Sequence, residues 1–434
     1  MHPIPSDLLS IFLLSLHRGA NYIYIHIIPT SMGVITGFLM ILAAIFIIII
    51  LPKFKVNIAI AILAGGLFLI FTLGANLEKV LHELLKWEFW RIILIVFLSL
   101  LIVALMEKIG YLKMMVDSVK NLAPSMGASM VSISAFIGLL PMPGGAYVSA
   151  RLVDPIAKEL NLNPIEATSL NYWFRHLWEY WWPLYTGVIV AADIFNVSIP
   201  DFVIHMMFLT LLAVIGGYIF IYRPVMIKKN RKVENREKKK SSEFSKLLYS
   251  SWPILVVMIA TLGFRIDLFY SLLGVDILLI ILLLGKKKYE DVKYGFKFAL
   301  RPTFLGVTFA ALFMKIAVLQ TNSMYYTYDF FNMFGVPPFV VIILLPYLAG
   351  FMTGVTVAYV AATFPLLLAY PMTFPAIALA YASGYGGHLT SPVHLCLVLS
   401  AQHFKADIYK VIRRVSPAVA FVMGITLLLY FIFT

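Results

Sequence analysis

The chain has 434 residues, of which 61% are apolar and 13% are charged, and its mean hydropathy is +0.92. Soluble globular chains carry roughly 45–50% apolar and about 25% charged residues. This composition excludes a soluble enzyme and a soluble nucleic-acid-binding protein. At ~20 apolar residues per crossing, the length accommodates about ten membrane helices with short loops. The sequence therefore predicts an all-α, polytopic protein of a lipid bilayer.

The formal net charge is +13, but the basic residues do not indicate a nucleic-acid partner. Lys and Arg cluster in short stretches beside apolar runs, which is typical of cytoplasmic loops under the positive-inside rule. The single cysteine, Cys396, lies within an apolar run. One cysteine excludes an intramolecular disulfide and a cysteine-based metal cage.

In chain order, an N-terminal extension (residues 1–31) precedes the first clear span and lacks the pattern of a signal peptide. A first half (32–223) and a second half (249–434) follow, separated by a basic linker (224–248). The predicted spans are 33–51, 56–75, 91–110, 166–192 and 202–222 in the first half, and 250–264, 268–285, 303–319, 381–402 and 412–433 in the second. Between the third and fourth span of each half lies a stretch rich in Gly, Pro and small residues, at 127–150 and 337–369. We predict that these two stretches are re-entrant hairpins.

The distribution of basic residues predicts the topology. Ten Lys and Arg residues fall between 223 and 246, whereas 192–201 and 320–382 contain none. If the linker is cytoplasmic, the remaining basic clusters agree best with an odd number of crossings in each half. Five spans and one hairpin per half predict a protein of the cytoplasmic membrane whose two termini both lie on the outer side.

A shift of 212 residues superimposes the spans of the two halves and also matches several residues that are not simply apolar. Ala146–Ala150 falls on Ala358–Ala362, and His176 falls on His388. Because each half has an odd number of crossings, the two copies are expected to be inverted. Inverted repeats with interrupted membrane helices are typical of secondary transporters.

The hairpins have unusual tips. The first reads Pro141-Met142-Pro143-Gly144-Gly145, and the second reads Thr353-Gly354-Val355-Thr356-Val357. Non-helical backbone at membrane depth is tolerated only where protein buries it or water hydrates it. We therefore expect both tips near the middle of the membrane; the alternative is a proline kink within an ordinary span.

The span after each hairpin carries the next candidate residues. In Asn171–Pro183, Arg175 and Glu179 are four residues apart and are expected to pair on one helical face. In Ser383–His394, the glycines predict unwinding around 384–392 and exposed helix ends that suit an anion. Ionisable residues inside a span are functional candidates by default; the alternative is a structural pair in a tryptophan-rich interface.

Histidines supply a further candidate pair. His176 and His388 occupy equivalent positions of the two halves, where they would bind an acid or carry a coupled proton. His394 is six residues beyond His388, too far for the same face of a regular turn, and no third ligand has motif spacing. A metal site is therefore not expected. Asp276 lies within a span with no partner evident from the sequence.

The first hairpin tip, the Asn171–Pro183 run and the Gly384–Pro392 break together resemble an uncharacterised prokaryotic membrane family, a domain of unknown function within the ion-transporter superfamily. Relatives there include gluconate permeases, citrate and dicarboxylate transporters and sodium/proton antiporters. The resemblance implies a homodimeric elevator-type carrier, with a scaffold and a moving part that holds both hairpins and both broken helices. The sequence departs from the Ser-Asn-Thr motifs of the carboxylate carriers.

These observations predict a secondary transporter of a small organic anion, driven by protons or sodium, and no enzymatic activity. The expected substrate-binding residues are Pro143, Gly144, Gly145, Asn171, Arg175, His176, Thr353, Gly354, Thr356, Gly387, His388, Thr390 and Ser391. The expected coupling residues are Glu179, His176, His388 and Asp276. One alternative is a cation/proton antiporter that uses Glu179, Asp193 or Asp276. The other is an intramembrane enzyme with His176, Glu179 and His388 as acid–base groups.

Overall fold

The computed structural model describes residues 31–141, 145–229 and 240–434, which form helices and connecting turns without a β-strand. The predicted N-terminal extension (apart from its last residue), the tip residues Pro143 and Gly144, and linker residues 230–239 lie outside the described residues. The prediction of an all-α fold is confirmed.

Eleven described helices precede residue 230, and several of them begin at a side chain that caps the first turn. Asn57, Asn76 and Ser125, for example, each accept a hydrogen bond from a backbone amide of the helix that follows. The helices are α1 (Ser31–Ile50), α2 (Ile58–Leu73), α3 (Leu77–Leu85), α4 (Trp87–Ile109), α5 (Tyr111–Leu122), α6 (Met126–Gly138), α7 (Gly145–Glu159), α8 (Pro164–Arg175), α9 (Thr186–Ile194), α10 (Ile199–Gly217) and α11 (Arg223–Lys229).

Ten described helices follow residue 239 in a similar order, and the first of them begins within the predicted linker. They are α12 (Lys240–Met258), α13 (Leu268–Gly285), α14 (Tyr289–Ala299), α15 (Pro302–Leu319), α16 (Ser323–Met333), α17 (Pro338–Thr353), α18 (Thr356–Leu367), α19 (Phe374–Thr390), α20 (Leu395–Phe404) and α21 (Ile408–Phe433). Helices α10 and α12 each run into a π-helical turn, at Tyr218–Tyr222 and Ile259–Gly263.

Within the described residues, seven helical segments are long and apolar enough to cross a bilayer. They are Met32–Phe54, Trp87–Ile109, Ile199–Ile227, Ser241–Gly263, Leu268–Gly285, Tyr289–Leu319 and Ile408–Phe433. Large apolar side chains are exposed along these helices, as at Ile277, Leu278 and Ile281 of α13. A lipid environment accounts for such exposure, so the prediction of a polytopic membrane protein is confirmed.

Four helices lie between the predicted spans and outside the predicted hairpins and linker: α3, α5, α14 and α16. The first three alternate charged and apolar residues at helical spacing, so each is amphipathic. Helix α16 meets α17 at a bend of 120°. Short amphipathic helices escape a search for long apolar runs.

Two predicted spans are not continuous helices. The span 166–192 is divided into α8 and α9 by an irregular segment, residues 176–185. The span 381–402 is divided into α19 and α20 by residues 391–394. Each predicted hairpin range is also two helices with a short break, α6–α7 and α17–α18, and the two helices of each range pack together.

The halves are interleaved rather than side by side. Helix α2 of the first half packs against α15 of the second, and α13 of the second packs against α4 of the first. Helices α10 and α21 also pack against each other. As a result, the two breaks lie in a core to which both halves contribute.

Candidate functional site

Helix α8 leads into the first break. Its start is fixed by a capping box, in which Asn163 accepts from the Glu166 amide while the Glu166 carboxylate accepts from the Asn163 amide, and Pro164 occupies the first helical position. The helix ends at Arg175, and His176 already has non-helical backbone angles. The prediction that Arg175 and Glu179 share a helical face is therefore wrong, because Glu179 lies in the irregular segment.

Tyrosines from one half hydrogen-bond the freed carbonyl groups of the other. Tyr381 and Tyr385 of α19 donate to the carbonyls of Glu179 and His176, each at 2.9 Å. In the opposite direction, Tyr172 of α8 donates to the carbonyl of Leu389 at 2.9 Å. Buried backbone without a partner costs free energy. These three bonds therefore explain how two unwound segments persist inside the molecule.

The glycines of α19 serve close packing rather than unwinding. The helix is continuous to Thr390, so the prediction of a break around 384–392 is wrong for 384–390 and holds only from Ser391 onward. A Cβ at Gly350 of α17 would collide with the carbonyl oxygen of Gly384, and one at Gly387 with that of Tyr347. Small residues at such positions let helix backbones approach closely in membranes.

Arg175 and Glu179 form a buried ion pair. The Arg175 Nη1 atom lies 2.7 Å from Glu179 Oε1, and both side chains are almost completely buried. The predicted pair therefore exists, although in a different backbone geometry. A buried guanidinium needs such a partner because an isolated charge is costly to desolvate.

Three histidines and the cysteine meet beside this pair. His176 Nε2 lies 3.2 Å from His394 Nε2, and the His388 and His394 ring centroids are 3.9 Å apart. The Cys396 sulfur lies within 4.8 Å of the nearest ligand atoms of His176 and His394. The prediction that His394 lies too far from His388 is wrong, because the chain leaves the helix between the two residues.

Asn171 connects the first hairpin to the second half. Its amide nitrogen donates to the carbonyl of Ala146 at 3.0 Å and to Ser400 Oγ at 2.9 Å. Its amide oxygen accepts from Ser134 Oγ at 3.0 Å. Asn171 thus holds α6, α7, α8 and α20 in register; Ser134 and Ser400 are partners that the sequence did not reveal.

The second tip faces the cluster directly. The Gly354 carbonyl accepts from His394 Nδ1 at 3.0 Å, and Gly354 has a φ of 60°, in the left-handed region that glycine adopts easily. Thr353 and Thr390 donate to backbone carbonyls of their own helices. Thr356 contacts Gly187 of α9 closely enough that a Cβ there would collide with it.

The remaining predicted residues divide between the site and its surroundings. Gly145 begins α7 beside the undescribed tip, and Ser391 is buried at the second break. Asp276 lies on α13, which packs chiefly against α4, and within the described chain its two buried carboxylate oxygens have no hydrogen-bond partner. The structure does not bring Asp276 into the cluster.

Nearly the whole chain matches one known protein family. Residues 36–433 match a family described as "Protein of unknown function (DUF401)". The chain belongs to this DUF401 family. The predicted membership of an uncharacterised membrane family is thereby confirmed, whereas the relation to gluconate and citrate carriers is not. No curated protein matches the chain.

Proposed function

We propose that this DUF401 protein is a secondary transporter of a small organic anion, driven by a proton or sodium gradient. One observation carries the proposal: two interrupted helices from different halves meet at a single buried cluster of ionisable residues, closed on one side by the Gly354 tip. Interrupted helices at the interface between repeats are where secondary transporters hold substrate and coupling ions.

Helix order supports an inverted repeat. Three helices of the first half, α3, α5 and α6, begin 212 residues before α14, α16 and α17 of the second. Apart from α11, which has no counterpart among the described helices, the others correspond within a few residues at the same offset. The contacts between the halves follow the same equivalence. Helix α9 packs against α18 of the other half, and their equivalents, α20 and α7, also pack against each other.

Contacts between distant segments support the proposed topology. Arg91 pairs with Asp267, and Arg265 pairs with Asp201; all four residues are predicted to lie outside. Asn121 donates to Glu243 at 3.1 Å, and both are predicted to be cytoplasmic.

We propose five crossings per half with both termini outside, and a moving part formed by the hairpins and broken helices. We also propose a homodimer, which is what the resemblance to elevator-type carriers implies.

The cluster supplies the groups that a carboxylate needs. Arg175 forms a charge-assisted hydrogen bond with Glu179, and a substrate carboxylate would take the place of the Glu179 carboxylate in that bond. His176 and His388 line the same space. The carbonyl of Gly354, next to Thr353, accepts from His394 of the same cluster. Pro143 and Gly144 of the other tip belong to the proposal but lie outside the described residues.

One observation favours a second candidate, a cation/proton antiporter. Glu179 compensates the charge of Arg175, so the cluster is not strongly cationic. Asp193, the other acidic candidate, is already paired with Lys315, whose Nζ lies 2.8 Å from its carboxylate. The alternative from another class remains an intramembrane enzyme that uses His176, Glu179 and His388.

Uptake by proteoliposomes tests the proposal. Purified protein is reconstituted, and uptake of labelled small carboxylates is measured under a sodium gradient, a pH gradient or neither. We expect one carboxylate class to accumulate with one of the two gradients. Cation flux without carboxylate uptake would contradict the anion-carrier proposal and favour the antiporter. Chemical conversion of a substrate without uptake would favour the enzyme.

Two matched variants separate binding from folding. Glu179→Leu leaves Arg175 buried without its carboxylate and is expected to cost about 3–5 kcal/mol of stability. Arg175→Met/Glu179→Leu removes both charges and should recover most of that stability but abolish uptake. Arg151→Ala, at an exposed arginine of α7, is the control and should transport normally. Normal uptake by the double variant would exclude Arg175 from substrate binding.

A further inference from the structure

The Nε2 atoms of His176 and His394 lie so close together that a cation between them would stabilise the arrangement. His176 Nδ1 lies 2.5 Å from the carbonyl of Tyr172, and His394 Nδ1 lies 3.0 Å from the carbonyl of Gly354. A carbonyl oxygen can only accept, so each Nδ1 carries the ring proton. Both Nε2 atoms then present lone pairs, and they face each other at 3.2 Å.

Two lone pairs at this separation need a positive species between them. A metal ion bound tetrahedrally, with metal–nitrogen bonds of about 2.0–2.1 Å, places two histidine nitrogens about 3.3 Å apart. Histidines that bind metals usually donate their other ring N–H to a carbonyl or carboxylate, as both of these do. The observed geometry therefore matches a site whose ligands are already oriented.

Cys396 supplies a third donor, and His388 lies beside the three. The Cys396 sulfur lies within 4.8 Å of both histidine ligand atoms. His388 is 3% exposed, its ring is 3.9 Å from that of His394, and within the described residues neither of its nitrogens has a hydrogen-bond partner. His388 therefore lies next to the three converging donors without belonging to their group, and the fourth position of a tetrahedral site is left to a water molecule or a substrate oxygen.

We propose that His176, His394 and Cys396 form a binding site for a zinc-like transition-metal ion. Nitrogen and sulfur donors suit such an ion, whereas magnesium and calcium prefer oxygen. Binding converts the Cys396 thiol to a thiolate and releases its proton to water. The nearby guanidinium of Arg175 is compensated by Glu179, so it does not exclude a cation.

The ligands lie near the edge of the protein. Cys396 is half-buried rather than enclosed, and its neighbours Val393 and Leu395 are each 54% exposed. This inference goes beyond the carrier proposal and does not rest on it, since binding is measured on the purified protein without transport.

Cobalt(II) titration of the chelator-treated, full-length protein in detergent tests the site. We expect one equivalent to bind with the visible absorption of tetrahedral cobalt and a thiolate-to-cobalt charge-transfer band, both lost when Zn²⁺ is added. Cys396→Ser should abolish the charge-transfer band, and His394→Gln should weaken binding by about tenfold or more. Cys396→Ser changes one atom of a half-buried residue, so it still tests the site if His394→Gln does not fold.

His403→Gln is the matched control, because His403 lies near Asp154 rather than in the cluster. It should leave cobalt binding unchanged. The absence of tetrahedral cobalt absorption would overturn the proposal and leave a shared proton as the species between the two Nε2 atoms. Binding that survives both Cys396→Ser and His394→Gln would place the metal elsewhere.

Discussion

At the scale of single residues, the tyrosine hydroxyls at the breaks have a measurable role. Tyr172→Phe keeps the ring but leaves the Leu389 carbonyl without its donor. An unsatisfied buried acceptor costs about 1–3 kcal/mol, so thermal unfolding in detergent should begin at a lower temperature. Tyr409→Phe, at an exposed tyrosine, is the control and should leave the unfolding temperature unchanged. Equal unfolding of Tyr172→Phe and the parent protein would mean that water satisfies this carbonyl.

Asp276 permits a second prediction about one residue. Its carboxylate is buried on α13, away from the paired charges of Arg175 and Glu179. Asp276→Asn is nearly isosteric and removes any charge, so uptake and its dependence on the ion gradient should be unchanged. Loss of gradient dependence in the liposome assay, with normal folding, would restore Asp276 as the coupling residue that the sequence suggests.

At the scale of helices, the contact between α17 and α19 predicts opposite effects for two similar substitutions. Gly350→Ala places a methyl group against the Gly384 carbonyl and should destabilise the protein. Gly274→Ala meets no atom within 4 Å in the middle of α13 and should stabilise it by up to about 1 kcal/mol. Thermal unfolding of the two variants in the same detergent checks both signs. A stabilising Gly350→Ala would show that these helices are not tightly packed.

The same helices show what the sequence can and cannot predict. Apolar length predicts α1, α4, α13 and α15 closely, because each is one uninterrupted apolar helix. The location of the breaks is also predictable, since Pro, Gly and ionisable residues are costly inside a span. The extent of unwinding is not, because Gly384 and Gly387 relieve crowding with another helix, and this depends on tertiary structure.

The residues that form the cluster could not all be predicted from the sequence, for a related reason. Spacing along a regular helix separates His394 from His388, but the turn at Ser391 brings their rings together. Tyr381 and Tyr385 resemble ordinary core residues until the carbonyls that they bind are seen. Partners more than 200 positions apart in the chain are set by how the two halves interleave, and one sequence does not reveal that.

For the whole molecule, the interleaving of two similar halves raises the question of their relative direction. If the halves are inverted, equivalent positions lie on opposite sides of the membrane, although their local structures match. The turn after α9 and the turn after α20 are equivalent to within three residues of the 212-residue offset. The first carries no basic residue, whereas Lys405 is in the second and basic residues follow it. The positive-inside rule therefore predicts that the two turns lie on opposite sides of the membrane.

Cysteine labelling of intact cells decides this point. In a Cys396→Ser background, Asn196→Cys should react with a membrane-impermeant maleimide, while Lys405→Cys should react only after the cells are opened. Asn196 and Lys405 both have positive φ angles in turns at the ends of their helices, so the two sites are closely matched. Labelling of both positions from outside would make the halves parallel. The breaks would then enter the membrane from the same side, and the alternating-access argument for a carrier would lose its structural basis.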